Sequence, residues 1–166
     1  MNATPVLALV SSRLAADVIM IRLRRVGVEH GKISVVFPRR FTPNTVACWL
    51  DVAQNPIHAS DREPVLAAGP LRVEFAKSGN SAPIADLIER AGFDHRVSAI
   101  VEHRLQFGDT LLCVHAEGEA EASIAWHVFK HSMAEMIAVG GSQAEAGVED
   151  VEPAEPISAP HWSAAA

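Results

Sequence analysis

The chain carries two similar units held apart. Residues 5–38 read strand, helix, strand, and residues 109–140 read the same way again. In the first unit, Val6-Leu7-Ala8-Leu9-Val10 is an unbroken apolar run, suited to a central strand buried on both faces. Ser11 and Ser12 follow, and either caps a helix. Ala16, Ile19, Met20, Leu23 and Val26 recur along one face of that helix. Arg22, Arg24 and Arg25 fall in its last turns, where cations complement the helix dipole, and Gly27 ends it. Lys32–Phe37 reads as the second strand, stopped by Pro38.

The second unit repeats the pattern. Thr110–His115 is a strand, Glu117, Glu119 and Glu121 open a helix, and Ala125, Val128, Phe129 and Ser132 form its inward stripe. Met136–Val139 is a short closing strand. Two such units in one small chain predict an α+β, ferredoxin-like βαβ…βαβ sandwich. Residues 1–141 form one domain on this reading, with halves 5–38 and 109–140 and a largely helical insertion at 39–108. Within the insertion, Asn44–Gln54, Pro83–Ala91 and Asp94–Phe107 suit helices, Ser81 being a candidate cap. Val97, Ile100, Val101 and Leu105 would face inward from the last. Leu71–Ala76 fits a strand or a turn of helix. Residues 142–166 shift to Ala, Glu, Pro, Ser and Gly and are expected to be disordered, with Trp162 their one large anchor.

Composition narrows the function classes. A net charge of −6 speaks against nucleic acid, whose phosphates need concentrated Lys and Arg. No apolar run approaches the ~20 residues that span a bilayer. The start of the chain lacks the basic and apolar pattern of a signal peptide. Cys48 and Cys113 form no CxxC and no disulfide framework. A reducing cytoplasm is therefore the expected location.

Leu23-Arg24-Arg25-Val26-Gly27-Val28 leading into Ile33–Pro38, Leu66-Ala67-Ala68-Gly69-Pro70-Leu71, Ile88–Phe93, Glu102–His115 and Ala125–Ile137 stand in a fixed order along the chain. Together these stretches resemble the bacterial general-stress, heat-induced-stress-type domain proteins. The resemblance spans most of residues 6–139. It implies a ferredoxin-like core and a stress-response context, and it carries no catalytic residues. The chain departs from it twice. Polar Asn55–Pro64 stands where members carry a Gly/Ala-rich apolar hairpin, and Met133 stands where a glycine ends the last helix, so that helix must turn by other means.

Candidate sites are few. Ser11, Ser12 and Arg13 at a helix N-terminus suit an anion, although capping alone accounts for the serines. His115 and Glu117 leave the equivalent strand of the second unit. With the first three they make the expected ligand-binding set of a sensor module. His115 shares a sheet face with Cys113, but at ~6–7 Å along the strand the two are too far apart for a thiolate–imidazolium pair. Among eight histidines, His127 and His131 are four apart on one helix and are the metal candidates, though no third ligand is fixed by spacing. His95 and His103, eight apart, could also face together. Arg39-Arg40 with Arg22, Arg24 and Arg25 read as flanking charges. No phosphate loop, nucleophile elbow or paired carboxylates occur.

These readings favour a non-enzymatic, cytoplasmic, stress-associated protein with no cofactor and no catalytic residues. Its expected partner is an unidentified protein or a second copy of the chain, a homodimer included. A small-ligand-sensing regulatory module and a metal- or cysteine-dependent enzyme are the alternatives.

Overall fold

A computed structural model describes residues 3–38, 64–78 and 82–141. The helix expected at Asn44–Gln54, Cys48, Arg39-Arg40, the Ser81 cap and the tail 142–166 lie outside the described residues.

Strands β1 (Thr4–Val10), β2 (Ile33–Pro38), β3 (Val65–Ala68), β4 (Thr110–Ala116) and β5 (Met136–Val139) form one antiparallel sheet in the order β3-β2-β4-β1-β5. Helix α1 (Arg13–Arg25) joins β1 to β2, and α5 (Glu119–Lys130) joins β4 to β5. Each pair of strands is separated in the sheet by a strand of the other unit, so the two βαβ units interleave. The middle of the chain adds α2 (Pro70–Lys77), α3 (Ile84–Arg90) and α4 (His95–Gln106). It also adds β3, an edge strand not anticipated in a largely helical insertion.

The central strands are apolar at almost every position because both faces of the sheet are covered. Val6, Ala8, Val10, Ile33, Val35, Leu112 and Val114 pack on α1 and α5 with Ile19, Leu23 and Phe129. Leu7, Leu9, Val36, Leu111 and Cys113 point the other way, onto Leu71, Phe75, Leu87, Val97 and Val101 of α2, α3 and α4. The insertion therefore roofs the face that the two units alone would leave bare.

Helix ends follow local chemistry. Ser12 Oγ accepts from Ala15 N at 3.3 Å, and Asp94 Oδ1 accepts from Val97 N at 2.9 Å. Val26, expected on the inward face of α1, is instead the residue where the helix stops, and it is exposed. Gly27 follows it at φ +91°, where Gly27 N bonds Arg24 O and Val28 N bonds Leu23 O, closing the last turn. On α4, Ile100 points outward and Ser98 takes the buried position beside Val97, Val101 and Leu105, its hydroxyl donating to Asp94 O. The last helix turns without glycine because Met133 itself takes φ +62°. Gly69 starts α2 flush against β2: a Cβ there would lie 2.1 Å from Ile33 O.

Candidate functional site

A buried polar cluster lies on the roofed face, between β2, β4 and α2. Ser34 is the one polar residue of β2 and is fully buried. It pairs across the sheet with Cys113, so His115, two residues on, lies diagonal to it on the same face. Ser34 Oγ accepts from Leu71 N at 2.9 Å and meets His115 Nε2 at 2.9 Å. The serine thus caps α2 from another strand, replacing a side-chain cap that Gly69 cannot supply. With its lone pairs receiving the amide, Ser34 has its own hydrogen to give to a neutral His115. Burial holds the His115 imidazole below its ordinary pKa, against the opposing pull of the Glu74 carboxylate.

This serine–histidine pair lacks the access that nucleophilic catalysis needs. Ser34 has no exposed surface, and its oxygen is already engaged by a backbone amide. Cys113 beside it is equally sealed, and burial pushes its thiol up, away from the thiolate form.

The five residues expected to bind a ligand do not converge. Val10 pairs with Thr110 and Thr4 with Ala116, so β1 and β4 run in opposite directions. Ser11, Ser12 and Arg13 therefore leave one end of the sheet, and His115 and Glu117 lie at the other. Six residue steps of strand, about 20 Å, separate the groups. Each group is also internally satisfied. Ser11 donates to Glu135, whose other oxygen accepts from Arg104, and Arg104 in turn binds Asp109. These hydrogen bonds, from Ser11 first and then Arg104, hold the Glu135 carboxyl below the usual range. Ser12 caps its helix. Arg13 lies in the field of Asp17, whose carboxyl is raised by burial and whose Oδ1 is buried without a partner. Carboxylates at both flanks make this helix start a poor seat for an anion. At the far end, Glu117 and Glu121 hold Lys32 at 3.4 and 3.2 Å, and Glu121 also accepts from Glu117 N at 2.7 Å.

His95 bonds Glu89 and His103 packs on Phe107, so those two histidines are engaged separately. His127 and His131 do share the exposed side of α5, with ring centroids 6.4 Å apart. No group of three or more metal-ligating side chains occurs among the described residues. Nor is any described helix long and apolar enough to cross a membrane. Ser34, Arg104 and Glu135 were not singled out from sequence. Ser34 had one signal, a lone hydroxyl in a strand apolar on both faces. Arg104 and Glu135 had none, since a salt link between a helix and a distant turn leaves no spacing to read. The chain matches no protein-family model, no curated protein and no solved structure.

Proposed function

We propose that this is a non-enzymatic, stress-associated cytoplasmic protein with a ferredoxin-like core that works by self-association along β5. The interleaved strand order β2-β4-β1-β5, with α1 and α5 on one face, supports the ferredoxin-like core. The stress context rests on the sequence resemblance. The observation that carries the self-association is an edge with no further strand beside it among the described residues. Both faces of the sheet are roofed by the chain's own helices, while β5 is an edge strand with no charge and no proline. Its residues are half-buried or exposed, Val139 being 50% exposed. Such an edge is a template for another strand unless something blunts it.

The register identifies the outward groups. Gly140 N donates to Pro5 O, and pairs two residues apart repeat this hydrogen-bonded geometry. Met136, Ala138 and Gly140 thus point their amides at β1, and Ile137 and Val139 point theirs outward. Two copies related by a twofold axis through Ala138 would pair Ile137 with Val139 of the other copy in both directions. A strand of this kind is its own complement.

Val139→Pro tests the reading. The substitution removes only an outward amide, so β1–β5 pairing persists. Light scattering across a concentration series is expected to give a dimer for the wild-type chain and a monomer for the variant, with unchanged circular dichroism. A wild-type chain that stays monomeric at the highest concentration, or a variant that dimerises equally well, overturns it.

A further inference from the structure

We infer that the exposed side of α5 is a chelating site for an imidazole-seeking divalent transition ion, formed by His127 and His131. The inference is independent of the β5 edge. Four residues apart on a helix, two side chains stand one above the other on the same face. Here the two rings are close to parallel, 8° between planes, with centroids 6.4 Å apart. Both residues are exposed. An ion held by one nitrogen of each ring lies ~2 Å from both. Bringing one nitrogen of each ring onto a shared ion takes side-chain rotation at two solvent-facing positions, which turns the near-parallel planes toward each other and closes the gap.

The backbone under the pair is fixed, although His131 is the C-cap, one residue beyond the end of the helix at Lys130. His131 N donates to His127 O at 3.1 Å, and its carbonyl accepts from Arg22, which also reaches Ser132 Oγ. The nearby cations are committed elsewhere. Arg22 is held by those two acceptors, and Lys130 Nζ lies over the Trp126 ring, 4.5 Å from its centre. Imidazole ligation selects nickel, copper and zinc over calcium and magnesium. With two protein ligands, the remaining positions stay open to water or to a donor from another molecule.

The structure also supplies a reporter. The Trp126 ring stands edge-on to His127 with centroids 5.2 Å apart, so a paramagnetic ion on the pair would quench its fluorescence. The test is a titration of the tag-free full chain with Ni²⁺, followed by tryptophan fluorescence, and with Zn²⁺, followed by calorimetry. One ion per chain is expected. His127→Ala and His131→Ala should each weaken binding about a hundredfold, because the second imidazole acts at high effective concentration. Trp126→Phe should lose most of the quenching yet keep the calorimetric binding. Circular dichroism checks that each variant folds. Absence of saturable binding overturns the site. So does a His127→Ala/His131→Ala double variant that binds as the wild type does, which would place the ion on the other histidines.

Discussion

Met133 adopts φ +62°, a conformation that costs an L-residue with a side chain roughly 1–2 kcal/mol. The turn it makes is imposed from both sides. Ser132 before it is buried and held by Arg22, and Glu135 after it donates its amide to Leu9 O at the start of β5. The Met133 side chain contributes little in return, being 65% exposed. Met133→Gly is therefore expected to stabilise the protein by about 0.5 kcal/mol, once the larger unfolded-state entropy of glycine is subtracted. A urea unfolding midpoint that falls instead would show that the methionine side chain is held by packing. Two other residues show how far a periodic pattern can be read. Val26 continues the apolar period of α1, but the chain has already left the helix there. Ile100 stands three residues from Val97, a spacing that reads as one helix side shared with Val97, Val101 and Leu105. At 3.6 residues per turn it falls roughly 115° from the centre of the arc that Val97, Ser98, Val101 and Leu105 bury.

Between elements, the contact of α2 with the sheet turns on one hydroxyl. Ser34 serves the Leu71 amide and His115 together. Burial disfavours the charged form of His115, whose Nε2 meets Ser34 Oγ. The folded state thus resists protonation, in line with the lowered imidazole pKa. An unfolded histidine titrates near 6.5. Between the folded pKa and that value the unfolded chain binds more protons, so stability rises with pH. It levels off above about 6.5 and is lost as pH falls below it. Chemical denaturation from pH 5 to 8 is expected to show this rise, and His115→Asn to flatten it. An unchanged slope in the variant would assign the titration to other histidines. The helix α2 was ambiguous in sequence for a related reason. Leu71–Ala76 has too few residues to reveal a period, and its start is fixed by Ser34, 37 residues earlier. Strand β3 escaped notice because Val-Leu-Ala-Ala is short and suits a helix as well. Strands β1, β2 and β4 were legible because burial on both faces demands unbroken apolar runs.

At the scale of the molecule, the two repeats and the roof form three layers that share one sheet. The middle segment is not an ornament on a finished sandwich, since among the described residues Leu7, Leu9, Val36, Leu111 and Cys113 have no other cover. A chain in which residues 70–107 are replaced by a short linker should expose that face and bind a hydrophobic dye while retaining strand signal. A variant that stays dye-silent and cooperative would show that the sandwich stands alone. The candidate ligand set failed at this same scale. Ser11 and Glu117 occupy matching places in the repeats, and sequence shows that equivalence. Their separation comes from antiparallel pairing between the repeats, a register that no single half encodes.

The seam of small residues beside β5 has a mechanical consequence. Gly141 N bonds Gly92 O at 2.9 Å, and a Cβ on Gly140 would come within 2.9 Å of Pro5. Ala3 and Gly141, just outside β1 and β5, therefore lie side by side at one end of two neighbouring strands that run in opposite directions. A load applied between them would not shear the sheet. It would open the β1–β5 ladder one rung at a time from the Pro5–Gly140 bond, the direction in which hydrogen-bonded strands yield most easily. The β1–β5 ladder thus works as a zipper that opens at the Pro5–Gly140 rung, with the glycine contact to Gly92 as its clasp.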